Sequence, residues 1–388
     1  MENAPDVRRE KHISKAKLFR ATATPLASIF GSGFLVIVPI LASATGRFSL
    51  FAVIAISALA YSIGSVIRFN IANVEPLLDA RKSQRSTLYL DRISDMALVP
   101  AYVISVCLYL RILSAFLMSG LGLATQLNER FLTTAIILLI TIIGFIKGLK
   151  DLQKLENWAI WVTMTIILAM ILGFSLHDIS LVSGAGIQLP GNSGHSLLHI
   201  LAVLGGTLIC VQGFETSRYL GEEYSMEMRI KSCRLSQLIA AAVYIVFIAV
   251  ATPLMHYLTG PVRDDSLIIL AGKASMLLPV PLIAAAVLSQ FSASIADTLG
   301  GEGNIVEATR QRISHKAAYL ILGGGSIILT WSASTFQIVA LASRAFAFYY
   351  MIQCLVAVTV TKSITRKLLM ILLALILLAI TLFATPVG

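Results

Sequence analysis

Four ionisable residues lie within long apolar stretches of this chain, where little is available to stabilise a charge. They are Arg111, Glu215, Asp297 and Arg344. A charge at bilayer depth costs at least about 2.5 kcal/mol, so such residues pair with one another or mark the path of an ion or polar solute. Their formal charges cancel, and we expect the two arginines to pair with the two carboxylates. These residues could bind a charged solute or transfer a proton.

Glu215 follows a Gln212-Gly213 step inside residues 205–224, GGTLICVQGFETSRYLGEEY. The segment begins as an apolar helix, yet it contains a glycine pair, a glutamine and a glutamate. We expect a helix break at Gln212-Gly213. A carboxylate in a low dielectric is hard to ionise, so Glu215 is the predicted proton-responsive group.

The composition indicates which kind of secondary structure positions these residues. Hydrophobic residues make up 57% of the 388, charged residues 13%, and mean hydropathy is +0.85, which is typical of an integral membrane protein. Stretches of about 20 apolar residues, the length that crosses a bilayer, predict eleven spans. They are 24–45, 48–69, 96–122, 131–149, 155–176, 197–219, 234–256, 279–300, 316–333, 335–360 and 366–386.

The distribution of basic residues predicts the orientation of these spans. Cytoplasmic loops carry the excess of Lys and Arg. With the N-terminus inside, 24 of the 30 Lys and Arg residues lie on the cytoplasmic side, four lie on the outer side and two lie within spans. Residues 1–20 are then a cytoplasmic tail, residues 21–388 form one transmembrane domain, and the C-terminus is outside. We expect a bacterial cytoplasmic membrane. The net charge of +10 matches an anionic inner leaflet, so the bilayer is the expected partner and nucleic acid is not.

The orientation also predicts an internal repeat. The first span runs outward and the sixth inward, so a five-helix unit that occurs twice must be inverted. Transporters built this way bind solute where the first helix of each repeat is broken. The first span carries Gly31-Ser32-Gly33, and the sixth carries Gly205-Gly206 and Gln212-Gly213. Alternatively, these glycines serve only close helix packing.

Two motifs resemble the amino acid–polyamine–organocation (APC) superfamily. Gly213-Phe214-Glu215, with Glu222-Glu223 shortly after, is similar to the sixth helix of that superfamily. Gly31-Ser32-Gly33-Phe34 is similar to its first-helix glycine motif.

The resemblance implies an all-α polytopic fold of the leucine-transporter type, with two inverted five-helix repeats, broken helices 1 and 6, and an extra eleventh helix. It implies transport of an amino acid or related solute, coupled to protons or sodium or by exchange. The backbone of residues 31–33 would hold a substrate carboxylate. The predicted substrate-binding residues are Gly31, Ser32, Gly33, Phe34, Cys210, Gln212, Gly213 and Phe214. Many relatives that do not use sodium carry a lysine in helix 5, where this chain has Thr163.

The eighth span offers oxygen ligands for an ion. In sodium-coupled relatives of this fold, hydroxyls of helix 8 help to bind the ion, and hard oxygen donors suit such a cation. Ser294, Asp297 and Thr298 are spaced to share a helix face. Asp297 would act as a sodium ligand or as a proton carrier, or the hydroxyls only bond to neighbouring helices.

The leading hypothesis is a secondary active transporter. The alternatives are a membrane sensor that binds solute without net transport, and an ion channel. An enzyme is not expected, because the buried set contains neither histidine nor a metal-binding pattern. We therefore expect no cofactor and no metal site. The sequence specifies no oligomeric state.

Overall fold

The structure is a computed structural model that describes residues 15–149, 155–182 and 186–387, with only the backbone described for Ser32 and for residues 155–157. Most of the predicted tail therefore lies outside the described residues, as does the Ser32 side chain. The described α-helices are α1 (Lys15–Thr45), α2 (Ser49–Asn73), α3 (Glu75–Asp79), α4 (Arg85–Gly120), α5 (Gln126–Lys147), α6 (Leu155–Val182), α7 (Leu197–Gly205), α8 (Thr216–Tyr219), α9 (Met226–Ala251), α10 (Ser266–Ala274), α11 (Pro279–Ala308), α12 (His315–Ser332), α13 (Thr335–Val360) and α14 (Ile364–Phe383). No strand occurs within these described ranges.

Serine side chains set where many of these helices begin. The hydroxyl of the residue before the helix accepts a hydrogen bond from the backbone N–H three residues later, which satisfies a donor that lacks a partner inside the helix. These N-cap residues are Ser196, Ser225, Ser314, Ser334 and Ser363.

The all-helical, polytopic architecture is confirmed, and each predicted span overlaps described helix. Eight stretches of described helix are long and apolar enough to cross a membrane, and one of them, Gly33–Asp79, combines the end of α1 with α2 and α3. The sixth and ninth predicted spans are not among the eight. The sixth is interrupted, while the ninth, α12, starts with His315-Lys316 and carries three consecutive glycines.

The predicted break in the first span is wrong. α1 runs without interruption from Lys15 to Thr45, through Gly31-Ser32-Gly33 and with two prolines inside. Glycine weakens a helix only modestly, and neighbouring helices can hold such a segment helical. The break in the sixth span, by contrast, is present between α7 and α8.

Helices at equivalent positions in the two halves pack against each other. α2 packs on α9, α4 on α11 and α5 on α12, and α1 contacts the interruption between α7 and α8. α13 packs against both α4 and α14. This pairing brings α1, α4, α6 and α11 around one interior space.

Candidate functional site: a cavity between α1 and α11

The sixth span stops being a regular helix at Gly205. One 3₁₀ turn, Leu208–Val211, follows α7, and Gln212 and Gly213 lead into the short α8. Gly213 has a φ of +122°, a region that residues with a Cβ rarely adopt. The glycine therefore fixes the point at which the chain leaves the helical path.

Side chains from other helices bind the backbone groups that this interruption leaves free. Ser343 Oγ donates to Gly206 O at 2.7 Å and accepts from Ile209 N at 3.0 Å. Tyr244 Oη lies 2.9 Å from Cys210 O and 3.1 Å from Ile29 O. In a bilayer, unpaired backbone groups cost several kcal/mol, so these residues make the interruption tolerable.

α1 touches the interruption through its backbone at Gly33. A Cβ at Gly33 would lie 2.0 Å from Cys210 O and 2.5 Å from Cys210 Cα. The next residue, Phe34, is buried and packs its ring on Phe247, with centroids 6.5 Å apart. Gly33 therefore serves close packing, the alternative that its sequence motif left open.

Glu215 is buried in a polar cluster beside the interruption. Its Oε2 accepts hydrogen bonds from Gly213 N at 2.9 Å and from Tyr350 Oη at 2.6 Å. Tyr350 Oη also lies 3.3 Å from Gln212 Oε1, and its ring stacks on Phe214 at 5.4 Å. Gln212, Phe214 and Glu215 thus form a unit with one tyrosine of α13.

A cavity of about 410 Å³ lies between α1, α4, α6, α11 and the segment that contains α8. That volume is within the range of small-molecule sites. Its polar and aromatic lining residues are Thr24, Ser28, Phe30, Tyr102, Tyr109, Thr163, Thr216, Tyr219, Glu223, Ser289, Ser292, Asp297, Asn304 and Glu307. The charged members are all acidic.

Two of the predicted site residues line this cavity, Gly31 and Asp297. The other predicted substrate-binding and ion-coupling residues with described side chains are not part of the cavity lining. Those residues are Gly33, Phe34, Cys210, Gln212, Gly213, Phe214, Glu215, Ser294 and Thr298. The predicted substrate set therefore divides, with α1 and α11 at the cavity and the interruption packed behind α1 and beside α13.

Asp297 is held at the cavity wall by a residue of α4. Its Oδ2 accepts a hydrogen bond from Ser105 Oγ, and Tyr109 of the same helix lines the cavity with it. Tyr102 and Tyr109 are seven residues apart and so share a helix face, a spacing that could have identified both from the sequence. The result is a carboxylate that faces the cavity and accepts a hydrogen bond from the Ser105 hydroxyl.

The predicted ion-binding face of α11 is not assembled at the cavity. Ser294 Oγ donates to Phe291 O at 2.7 Å, and Thr298 Oγ1 donates to Ser294 O at 2.6 Å. The stripe that does face the cavity consists of residues 289, 292, 293, 296, 297, 299, 300, 303, 304 and 307. This helical spacing contains Asp297, while Ser294 and Thr298 are buried beside it.

Arg111 does not pair with Glu215 or Asp297, so that expectation is wrong. It is buried, and its Nη2 donates to Thr335 Oγ1 at 3.3 Å, while Thr335 Oγ1 donates to Asp264 Oδ2 at 2.6 Å. Burial raises the pKa of Asp264, an effect that the Thr335 hydrogen bond and the Arg111 charge partly offset. The arginine belongs to a cluster between α4, α13 and the loop before α10.

Arg344 also has partners other than the expected carboxylates. Its Nε donates to Thr381 O at 2.7 Å and its Nη2 lies 3.5 Å from Leu382 O. These carbonyls belong to the last turn of α14, where unpaired acceptors favour a cation. Sequence position gives the depth of a residue but not the helix face, which explains why both pairings were mispredicted.

A largely buried ion network connects α8 to its neighbours and was not predicted from the sequence. Arg218 Nη2 lies 2.7 Å from Asp91 Oδ1 and its Nε lies 3.5 Å from Glu75 Oε1. Arg229 Nη2 lies 2.7 Å from Glu75 Oε2, and its Nη1 donates to Arg218 O at 2.8 Å. The network joins α3, α4, α8 and α9. In the sequence, these two arginines resemble the other basic residues that the positive-inside rule predicts for cytoplasmic loops.

In the part of the chain that the structure describes, no group of three or more His, Cys, Asp or Glu residues is placed to hold a metal ion. The four cysteines are all free and buried. The chemistry of the cavity is thus that of hydroxyl groups, aromatic rings and carboxylates.

Comparison with known proteins places the chain in a family. The profile of a family described as APC superfamily transporter matches residues 11–384. An uncharacterized protein of Aquifex aeolicus (strain VF5) is 40% identical over 349 residues, which are 89% of this chain and 84% of that protein. This match covers nearly the whole chain and agrees with the helical, polytopic architecture. The chain belongs to the APC superfamily of transporters.

Proposed function

We propose that this protein is a secondary active transporter that carries a small solute with a protonated amino group, an amino acid or a related amine, by alternating access. The observation that carries the proposal is the charge of the cavity. Asp297, Glu223 and Glu307 line it, and no Lys, Arg or His is among its described lining residues. A cavity with only negative charge favours a cation over an anion.

Asp297 is the proposed contact for the amino group. A hydrogen bond from Ser105 holds the carboxylate in position, so little reorganisation is needed on binding. The aromatic rings of Phe30, Tyr102 and Tyr219 also line the cavity, and such rings attract ammonium groups.

The proposal does not include the expected binding site for a substrate carboxylate at residues 31–33. The expectation required a broken first helix with free N–H groups, but α1 is continuous there. The proposal therefore rests on recognition of the amino group. The proposed substrates include amines without a carboxylate as well as amino acids.

The proposed coupling ion is the proton, with Glu215 as its carrier. A buried carboxylate with a hydroxyl donor, Tyr350, and a backbone N–H can exist in both protonation states without losing all its partners. Replacing sodium by choline at fixed pH should leave uptake unchanged. A sodium requirement would contradict proton coupling but leave the cavity assignment intact.

The proposed location is a bacterial cytoplasmic membrane with the N-terminus in the cytoplasm. Glu223 lies after α8 and Glu307 lies in the last turn of α11, at the end of the cavity that the positive-inside rule places toward the cytoplasm. The cavity would then be open on the inner side.

The test begins with a thermal-shift screen of the purified protein against amino acids, polyamines and purines, because a ligand that binds only the folded state raises its melting temperature. A stabilising solute is then assayed for uptake into proteoliposomes. Asp297→Asn should lower uptake at least about tenfold while leaving the melting temperature of the free protein nearly unchanged.

Glu302→Gln is the matched control, because Glu302 is also a buried carboxylate of α11 but bonds to His315 and does not line the cavity. Equal losses in both variants would remove the special role of Asp297. Binding without uptake by the unmodified protein would favour a sensor.

A further inference from the structure

A groove on the lipid-facing surface runs between α2 and α14. Both helices pack on α13 but make few contacts with each other, which leaves a space of about 490 Å³. Its lining residues are Leu59, Ser62, Ser65, Val66, Phe69, Arg366, Leu369, Met370, Leu372, Leu373 and Ile376. The groove is not part of the cavity described above.

The groove has one basic end and one apolar end. Arg366 lies in the first turn of α14, with Lys367 next to it and Lys362 four residues before it in the sequence. The far end is formed by Leu59 and Ile376. The groove lining contains no acidic residue, and within the described ranges Arg366 forms no ion pair. The basic end therefore offers an unopposed positive charge.

The length of the groove matches one leaflet of a bilayer. From residue 69 to 59 on α2, and from residue 366 to 376 on α14, each wall spans ten residues, or about 15 Å at 1.5 Å per residue. A hydrocarbon core is roughly 30 Å thick, so this is about half its depth. The positive-inside rule puts the basic end at the cytoplasmic surface.

We propose that this groove is a binding site for an anionic phospholipid of the inner leaflet, with the headgroup phosphate on Arg366 and an acyl chain along Val66, Leu369 and Leu373. Basic pockets between membrane helices at the cytoplasmic side favour such headgroups. The two serines do not oppose an acyl chain, because Ser62 Oγ donates to Ala58 O and Ser65 Oγ to Ser62 O.

The test uses the full-length protein, stripped of lipid in detergent and titrated with phosphatidylglycerol or phosphatidylcholine of the same chain length. Bound lipid is counted by native mass spectrometry. Arg366→Gln should weaken phosphatidylglycerol binding about fivefold, as loss of one basic residue near an anionic lipid predicts. Lys367→Gln removes the same charge one residue away, outside the lining, and should change binding less than about twofold.

Ser62→Phe gives an independent test, because the added ring enters the apolar half of the groove without altering its charge. It should lower the number of tightly bound phosphatidylglycerol molecules by one. Equal effects of Arg366→Gln and Lys367→Gln, equal binding of the two lipids, or a dimer that covers α14 and excludes lipid would each overturn the proposal.

Discussion

α1 and the interrupted segment between α7 and α8 both contain glycines that predict a helix break, but their structures differ. Each is the first element of one half of the chain, and each contains glycines at the depth where a break is expected. α1 remains helical throughout and lines the cavity at Gly31. The sixth span is interrupted between Gly205 and Thr216, and residues 206–215 of this interruption are not among the cavity lining, although Thr216 and Tyr219 of α8 are.

The difference shows that glycine answers two separate requirements in this bundle. Gly213 is needed for its backbone conformation, since its φ is +122°. Gly33 is needed for its missing side chain, since Cys210 occupies the space where a Cβ would be. The two requirements belong to one contact, in which the unwound turn fits against an intact helix.

The largest effect is expected from Gly213→Ala. The substitution imposes a disfavoured backbone conformation and also places a Cβ 2.7 Å from Ile29 N and 2.6 Å from Ser28 Oγ. Strain and overpacking together should cost on the order of 3–5 kcal/mol, measured as a large drop in melting temperature or a loss of monodisperse protein. Gly260→Ala is the control, because Gly260 has a φ of +100° and nothing within 4 Å of its Cβ position. If both variants lose the same stability, the contact with α1 contributes nothing.

Gly33→Ala should have the next largest effect. Its Cβ would meet backbone atoms of Cys210, which cannot move without separating α1 from the interruption, so about 2–3 kcal/mol should be lost. At Gly31 the nearest atom to a new Cβ is Ala293 Cβ at 3.1 Å, and Gly31→Ala should cost less. Thermal unfolding of both variants in one detergent ranks them, and a reversed order would show that Gly33 does not pack as described.

A smaller effect is expected from Tyr350→Phe. The variant keeps the stacking on Phe214 but removes the 2.6 Å hydrogen bond to Glu215, which should cost roughly 1.5 kcal/mol. It should also shift the pH dependence of uptake, while Glu215→Gln should abolish that dependence. An unchanged pH profile in Glu215→Gln would rule out the coupling role of that residue.

The smallest effect is expected from Ser294→Ala. The hydroxyl bonds to a carbonyl of its own helix, so its removal should change stability by no more than about 0.5 kcal/mol and leave uptake unaffected with or without sodium. Loss of a sodium-dependent component in this variant would restore the ion site that the sequence predicted on α11.

The membrane spans were predictable because hydropathy and the placement of Lys and Arg report directly on the bilayer. The site was predictable only in part. Asp297 was found because a charge inside an apolar stretch is costly, and Gly213 because glycine beside a polar residue weakens a helix. The packing role of Gly33 and the actual partners of Arg111 and Arg344 depend on which face each helix turns to its neighbours, and the sequence does not fix that rotation.

The most direct test of the account is protection of a cysteine in the cavity by the transported solute. Ala293→Cys places a thiol on the cavity wall beside Gly31, and Asn192→Cys places one in the exposed loop before α7, outside that cavity. The four native cysteines are buried, so background labelling by a charged thiol reagent should be low. We predict that the solute found in the thermal-shift screen slows modification at residue 293 at least about tenfold and does not change it at residue 192. No protection at residue 293, or equal protection at both residues, would contradict the account.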